Sequence, residues 1–352
     1  MKRVKDYIPF DQYESSIGSL VFDYIHKNAA ESLNNVNKYS QFIKKFQIWF
    51  FLADALLIGL TLVFIYCCFK FNYSSFKIPF LLFLILSLIL LLIIYYGLAR
   101  YKVEAQRYLK ARINEFELYS NIFNKIEDVE YLGIEFDLEN TPFTKKFLTL
   151  NRSPYIPSGA TIFRIWPIHK FLISDEFVAY FVCVTWKWVV HNGKTTQVYY
   201  RNSGYFNIDI EGMDEDKKFA FSMLNQKYND KFLHGLKPIK LENPDFNKRF
   251  NMHSDNEVRA RMLATPLFME IANQRYNDTK GIRFGKQFIS LYATYDYIQI
   301  NVDLDKNNGI MLLDTKFRGD LTKWCRSIYS DLITDSYSIY FLLSLITISS
   351  YI

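Results

Sequence analysis

Residues 177–200 read FVAYFVCVTWKWVV, then HNGK, then TTQVYY. The first and last of these stretches are rich in β-branched and aromatic residues, which are typical of strands. Asn192-Gly193 lies between them, and Asn-Gly between two apolar runs is the strongest short signal for a β-hairpin. The sequence therefore predicts that Phe177–Val190 pairs with Thr195–Tyr200. Side-chain alternation then places four large residues on one face: Val182, Val184, Trp186 and Trp188.

Shorter strand and helix patterns surround this hairpin. The predicted strands are Ile162–Pro167, Gly204–Ile210, Phe250–His253, Phe288–Thr294 and Tyr297–Val302. The predicted helices are Asp216–Asn229, a helix that follows Ser254 and ends at Leu263, Pro266–Asn273, and Thr315–Leu332. Together they predict a cytoplasmic α+β domain over residues 135–336, a mainly antiparallel sheet with covering helices.

A long apolar region lies between residues 48 and 98. Trp49–Phe69 and Ile78–Leu98 each have 21 residues, about 32 Å as helix, and a hydrocarbon core is ~30 Å thick. The short Lys70–Lys77 link predicts a transmembrane helical hairpin with spans 49–69 and 78–98. The positive-inside rule then predicts a multi-pass cell-membrane protein with both termini in the cytoplasm. The flanking cations, which we expect to contact anionic lipid headgroups, are Lys44, Lys45, Arg100, Lys102, Arg107, Lys110 and Arg112.

Asp54 is the one charged residue within the predicted spans. An ionisable group inside a membrane is a candidate for a proton or ion path. It also lies five residues from the expected cytoplasmic edge, where its carboxylate could reach water or Lys44 and Lys45. We favour the second interpretation, since the other predicted span offers no polar partner.

The apolar region is flanked by helical patterns. Residues 1–47 contain one apolar helical face, and residues 99–134 predict an amphipathic stalk helix, since 99–130 lack Pro and Gly. The tail, residues 337–352, is almost wholly apolar but short for a full span. It predicts either a final helix that covers the sheet or a partial membrane contact.

Composition and motif searches exclude several function classes. Residues 1–112 hold 14 Lys/Arg against 7 Asp/Glu, whereas the rest of the chain holds 28 against 29, so no basic face for nucleic acid is expected on the domain. Phosphate-loop, dinucleotide, zinc-protease and serine-hydrolase motifs are absent. The five histidines and four cysteines lack metal-ligand spacing. We therefore predict no catalytic residues, no metal and no cofactor.

The densest polar cluster of the domain follows the predicted strand at Phe250–His253. One interpretation is a site for an anion or a partner peptide at a helix N-terminus. The other, which we favour, is a helix capped by Ser254 and Glu257, with charge pairs between residues four apart. The expected pairs are Asp255 with Arg259 and Glu257 with Arg261. The candidate binding residues are Ser254, Asp255, Glu257, Arg259 and Arg261.

The segment Asp245–Asn273, DFNKRFNMHSDNEVRARMLATPLFMEIAN, resembles a bacterial membrane-protein family known as domain of unknown function 3137. The residues that match in kind are Phe246, Phe250, Ser254, Asp255, Glu257, Arg261, Leu263, Thr265, Pro266, Met269 and Glu270. Tyr205–Asp209, Gly281–Arg283 and Ile289–Val302 also resemble the family pattern, whereas the apolar tail departs from it. The resemblance implies two membrane spans before a cytoplasmic α+β domain, and no established activity.

Three functions remain open at this point. We favour a membrane protein that tethers a non-catalytic interaction or scaffold domain to the inner leaflet, with a protein partner or self-association. The second is an oligomeric transporter or channel component that uses Asp54. The third is an enzyme acting on lipid or peptide at the inner leaflet, which requires a deep pocket with convergent carboxylates or histidines.

Overall fold

The computed structural model describes residues 8–27, 113–215, 217–227, 235–277, 279–305, 309–313, 316 and 320–348, and scattered positions between 48 and 111. The chain divides into two compact units. One contains Met1–Val21, Glu115–Leu313 and Ser330–Ile352, and the other contains Phe22–Asn114 and Asp314–Tyr329. Every position described between 48 and 111 is helical.

The described part of the first unit contains ten strands. They are β1 (Val129–Glu135), β2 (Thr161–Ile165), β3 (Ile168–Ile173), β4 (Phe177–Asn192), β5 (Thr195–Asp209), β6 (Phe221–Asn225), β7 (Lys237–Ile239), β8 (Phe250–Ser254), β9 (Phe288–Ala293) and β10 (Tyr297–Asp305). They form one sheet in the order β1-β3-β4-β5-β10-β9-β6-β8-β7, with β2 paired to β4. Every pairing is antiparallel.

The described helices lie between and around these strands. They are α1 (residues 10–27), α2 (Glu115–Phe123), α3 (Lys145–Leu150), α4 (Pro244–Arg249), α5 (Glu257–Leu263), α6 (Pro266–Tyr276), α7 (Phe284–Gln287) and α8 (Leu321–Ile348). A short 3-10 turn, Leu138–Asn140, precedes α3.

The predicted central hairpin is confirmed and is longer than the sequence pattern indicated. β4 and β5 pair from Ala179↔Ile208 to Asn192↔Thr195, and Gly193 takes the positive φ (60°) that the turn requires. β5 continues through the predicted strand at Gly204–Ile210. Gly204 is required where β5 meets β10, since a Cβ there would lie 2.7 Å from Val302 Cγ2.

The two faces of the sheet are covered by different parts of the chain. On one face, a core cluster joins β4 and β5 to the segment that contains α3; its members include Phe143, Leu148, Ile156, Val182, Val184, Trp186 and Tyr205. On the other face, aromatic rings pack from α2 onto β3 and β5. The ring centroids are 5.0 Å apart for Phe123 and Phe171, and 6.4 Å apart for Phe171 and Phe206.

The segment 309–313 is fixed by three buried side chains. His169 Nε2 lies 3.2 Å from the Met311 carbonyl, and the Cys183 thiol donates to the Ile310 carbonyl at 3.2 Å. Asp335 of α8 accepts a hydrogen bond from the Met311 amide at 2.7 Å. Burial lowers the pKa of His169 to about 4, and burial with the nearby Asp331 raises that of Asp335 well above its usual value.

The predicted fold class needs correction in its membrane part. It was a helical transmembrane hairpin with a helical stalk, but the structure is dominated by the ten-stranded antiparallel sheet. Within the ranges described above, none of the helices combines the length and the apolar composition that a membrane crossing needs. The prediction of a transmembrane hairpin is therefore wrong for this structure. Most residues of 49–69 and 78–98 lie outside the described residues.

Two other helix predictions are also wrong. The sequence predicts a stalk helix over residues 99–134, but Val129–Glu135 is strand β1, in which Val129 and Tyr131 are buried and Glu130 and Leu132 are exposed. The helix expected over Asp216–Asn229 contains strand β6. All five β6 residues are buried between β9 and β8, so the strand has no alternation from which to recognise it.

The apolar tail belongs to α8 and not to a separate element. Tyr337, Tyr340 and Phe341 are fully buried. Tyr13 of α1 packs 5.1 Å from Tyr340 between ring centroids, and the Arg275 guanidinium lies 4.5 Å from the Phe341 ring centroid. The tail residues through Ile346 are thus buried, with contacts to α1 and α6.

Candidate functional site

The predicted cluster at residues 254–261 lies where β8 ends and α5 begins. Ser254 is the last residue of β8, and Asn256 caps α5 by accepting a hydrogen bond from the Arg259 amide at 3.1 Å. The predicted cap at Ser254 is wrong by two residues because the strand continues through that position. Ser254 Oγ donates instead to the Ala220 carbonyl at 2.8 Å.

Asp255 and Arg259 contact different residues and do not form the predicted ion pair. The Asp255 carboxylate accepts the Ala220 amide at 3.1 Å and the Tyr295 hydroxyl at 2.8 Å. The hydrogen bond to Asp255 raises the pKa of Tyr295. Arg259 Nη1 donates to the Lys218 carbonyl at 2.9 Å. These contacts hold the chain that enters β6 against β8.

The second predicted pair is present. Arg261 Nη2 lies 2.8 Å from Glu257 Oε1, and Arg261 Nη1 reaches Glu242 Oε1 at the same distance. The pairs are exposed and screened by water, so they contribute little to stability. The cluster thus makes contacts within the fold, of which only the pair of Glu257 with Arg261 is among those predicted.

The predicted lipid-contacting cations and Asp54 fall mostly outside the described residues. This holds for Asp54, Lys44, Lys45, Arg100, Lys102, Lys110 and Arg112. Arg107 is described: it is helical and exposed.

An open pocket of about 580 Å³ lies at the end of β5 that is distant from the hairpin tip. Its lining comes from the 3-10 turn and the start of α3, from β4, from the end of β5 with the residues that follow it, and from the turn before β10. The lining residues are Glu139, Thr141, Pro142, Phe147, Tyr180, Asn207, Asp209, Glu211, Asp296 and Tyr297.

Three aromatic rings give the pocket apolar walls. Phe147 and Tyr297 meet edge to face, with ring centroids 6.0 Å apart. Burial raises the pKa of Tyr297, with a smaller contribution from Asp296 in the same direction. Tyr180 already has the Lys170 ammonium 5.7 Å from its ring centroid. Such walls can pack against the aliphatic part of a long side chain, and the faces of the rings can attract its cationic end.

A buried amide donor lies beside these walls. Asn207 of β5 is only 1% exposed, and its Nδ2 has no hydrogen-bond partner among the described residues. A buried donor left unpaired costs about 1–3 kcal/mol, so a native fold rarely keeps one without a reason. Because Asn207 also lines the pocket, an acceptor of a bound molecule could satisfy it.

Four exposed carboxylates belong to the same lining: Glu139, Asp209, Glu211 and Asp296. Asp209 Oδ1 accepts the Glu211 amide at 2.9 Å, and the Ile210 amide donates to the Asp296 carbonyl at 3.0 Å, so the β5 end and the β10 turn are held together. No group of three or more His, Cys, Asp or Glu side chains in the described ranges is placed to hold a metal ion. The four carboxylates therefore suit a larger cationic ligand.

A buried hydrogen-bond network joins side chains of β9 and β10 beside the pocket. The Tyr292 hydroxyl donates to Asn151 Oδ1 at 2.7 Å and also contacts Gln299 Oε1. Gln299 in turn contacts Asn301, whose amide donates to Ser290 at 3.1 Å. Asn207 lies opposite Gln299 in the β5–β10 register. The network fixes the strands that position the pocket residues.

Sequence reasoning missed this pocket. Its carboxylates come from positions 139, 209, 211 and 296, which no spacing rule connects. The one local signal was the acidic end of the strand Gly204–Ile210, which carries Asp209. A buried polar residue such as Asn207 cannot be recognised before strand pairing is known.

Residues 194–291 match the family model described as a protein of unknown function (DUF3137). The match extends from the tip of the β4–β5 hairpin into β9, and so contains Asn207, Asp209, Glu211 and the cluster at 254–261. It supports the resemblance of Asp245–Asn273 to that family, whose description names no activity. No curated protein and no solved structure matches the chain.

Proposed function

We propose that this chain is a bacterial, membrane-associated scaffold whose α+β domain binds a basic segment of a protein partner and performs no catalysis. The observation that carries the proposal is the pocket at the end of β5. It combines four exposed carboxylates, three aromatic side chains and a buried, unpaired amide donor within one opening.

The chemistry of the pocket fits a Lys or Arg residue within a peptide. The carboxylates attract the cation, the rings of Phe147, Tyr180 and Tyr297 receive its aliphatic stem, and the Asn207 amide can donate to a backbone carbonyl. A free amine would contact the carboxylates and the rings but would offer no carbonyl to the Asn207 amide. A second copy of the chain could supply the segment as well as another protein.

The test is binding of a blocked, fluorescein-labelled pentapeptide with alternating Gly and Arg, measured by anisotropy with the full chain. We expect Asp209→Asn with Glu211→Gln to weaken binding by about threefold to tenfold, since each exposed pair contributes ~0.2–1 kcal/mol. Asp214→Asn with Asp245→Asn is the matched control, because it removes two exposed carboxylates outside the pocket lining.

Two results would contradict the proposal. Equal weakening by both double variants would mean that the peptide responds to general surface charge. Equal binding of a Gly and Glu pentapeptide would mean that the carboxylates do not select the ligand. High salt is expected to weaken the wild-type complex, since the carboxylates are exposed.

The enzyme alternative predicted a deep pocket with convergent carboxylates. The pocket has carboxylates, but all four are exposed, so among the described residues none of them is shielded from water. This favours binding over catalysis. Turnover of a lipid or peptide by the purified chain, lost in Glu211→Gln, would overturn the scaffold proposal. The transporter alternative depends on Asp54, which lies outside the described residues.

The membrane location is part of the proposal and rests on composition. Residues 48–98 hold the most apolar stretches of the chain, and basic residues flank them. Fractionation of cells into membrane and soluble fractions at physiological salt tests it. Recovery of the chain in the soluble fraction would remove this part of the proposal and leave the pocket unaffected.

A further inference from the structure

The tip of the β4–β5 hairpin is exposed, whereas its base is buried. From residue 191 to residue 198 every side chain is exposed, whereas residues 202–208 are all buried. β2 runs alongside β4 up to the pair Thr161↔Lys187. We call residues 187–201, with β2 beside them, the arm.

One face of the arm is apolar and exposed. Val189 pairs with Val198 and Lys187 pairs with Tyr200, so these four side chains share a face. Phe163 of β2 joins them, with its ring centroid 5.1 Å from that of Tyr200. Phe163 is 57% exposed, and Val189 and Val198 are each 45% exposed. A contiguous exposed face of this kind marks an interaction surface.

The charge on the arm has one sign. Arg164, Lys187, Lys194 and Arg201 lie within it, and residues 141–174 and 177–208 contain no Asp or Glu. Arg201 is paired with Asp303 of β10, and the Arg164 guanidinium lies 3.6 Å from the Trp166 ring centroid. The Lys187 ammonium lies 5.9 Å from the Phe163 ring centroid, at the edge of the apolar face. Lysines beside aromatic and aliphatic side chains, without carboxylates, are the composition of a surface that contacts anionic lipid.

We propose that this face of the arm, formed by Phe163, Lys187, Val189, Val198 and Tyr200, docks on an anionic lipid surface. The valines and Phe163 enter the boundary between headgroups and acyl chains. Lys187 and Lys194 contact phosphate groups, and Tyr200 lies at the interface, where its polar end stays hydrated. The two aliphatic side chains favour lipid over single-stranded RNA, because bases stack on rings and gain little from valine.

The test measures the exposure of one position on this face. The full chain carries Val198→Cys together with Cys67→Ser, Cys68→Ser and Cys325→Ser, and the remaining Cys183 is buried. It is incubated with nanodiscs of phosphatidylcholine alone or with added phosphatidylglycerol, and a water-soluble maleimide reports the labelling rate. Val258→Cys in the same background is the matched control, since Val258 is an exposed valine of α5 (69%).

We expect labelling at position 198 to slow by about fivefold or more in the anionic nanodiscs, and labelling at position 258 to stay unchanged. Adding Lys187→Gln and Lys194→Gln removes two contacts of ~1 kcal/mol, which corresponds to roughly 25-fold in the docking equilibrium. This double change should restore fast labelling. Lys237→Gln with Lys240→Gln, two exposed lysines near the edge strand β7, should not.

Three outcomes would overturn the proposal. Equal labelling rates in both lipids would show that lipid charge has no role. Protection that rises with protein concentration in the absence of lipid would assign the face to a second copy of the chain. Protection by single-stranded RNA would assign it to nucleic acid. None of these outcomes bears on the acidic pocket, so the two proposals can fail separately.

Discussion

The two ends of strand β5 carry opposite charge. Its first residues, Thr195–Arg201, belong to an arm with four cations and no carboxylate. Its last residue, Asp209, lines a pocket with four carboxylates and no cation in its lining. The seven residues from Asn202 to Ile208 are buried and separate the two.

This separation makes the two surfaces electrostatically independent. Arg201 and Asp209 are eight residues apart in an extended strand, about 27 Å at ~3.4 Å per residue. The screening length at physiological salt is about 8 Å, so each surface attracts its own partner with little effect from the other. A net charge of +6 for the whole chain conceals this arrangement.

The largest expected effect distinguishes the base of the hairpin from the arm. Trp186 is fully buried in the core cluster, so Trp186→Ala should lower the free energy of unfolding by about 3–5 kcal/mol. Trp188 is partly exposed and stacks on Tyr199 with centroids 5.7 Å apart, so Trp188→Ala should cost only about 1 kcal/mol. Urea unfolding measures both. Equal losses would mean that the arm is as integral to the core as the base.

A second prediction concerns how the free energy of unfolding depends on pH. The pKa of His169 falls from 6.5 to about 4 in the folded chain because burial disfavours the cation. The unfolded chain therefore binds more protons between these pH values, and stability is lost as pH falls from 6.5 towards 4, by about 3 kcal/mol. Unfolding at several pH values should show this loss, and His169→Gln should reduce the slope.

Asp335 changes the stability with pH in the opposite direction to His169 and serves as a control. Its pKa is raised in the folded chain, so its contribution to stability is present at low pH and is lost as pH rises above its unfolded value. This loss begins near pH 4 and therefore opposes the gain in stability that His169 gives between pH 4 and 6.5. Asp335→Asn should therefore steepen the rise in stability with pH over this range. An unchanged slope would contradict the assignment of a raised pKa to Asp335.

A smaller effect is expected for a substitution in the acidic pocket at the end of β5, which should change peptide binding without lowering stability. Asn207→Val removes a buried donor that lacks a partner among the described residues, so we expect the free energy of unfolding to stay constant or rise by about 1 kcal/mol. Binding of the basic pentapeptide should weaken. If the variant instead loses stability and keeps its affinity, Asn207 serves the fold and not the ligand.

The smallest effect is expected away from both surfaces. Glu257→Gln removes an exposed ion pair with Arg261, so the free energy of unfolding should hardly change in urea unfolding. Neither pentapeptide binding nor arm labelling should change. A change in either assay would indicate that the cluster at 254–261 takes part in recognition after all.

Local sequence signals predicted the elements that depend on neighbouring residues. Asn192-Gly193 predicted the central turn, Pro266 marked the first turn of α6, and Phe288–Thr294 and Tyr297–Val302 were recognised as β9 and β10. Where burial came from partners distant in sequence, prediction failed. β6 was mistaken for a helix because both of its neighbours, β8 and β9, are supplied by later parts of the chain.

The sequence by itself determined the hairpin, the absence of carboxylates from the arm and the helix that begins at Pro266, because each depends on residues within one short stretch. Only the tertiary structure decided that Glu139, Asp209 and Asp296 line one pocket, that Asn207 lies buried beside it, and that Phe163 joins the arm face. Strand pairing brings these residues together across long separations in the chain, and the register that does so depends on burial of the whole sheet.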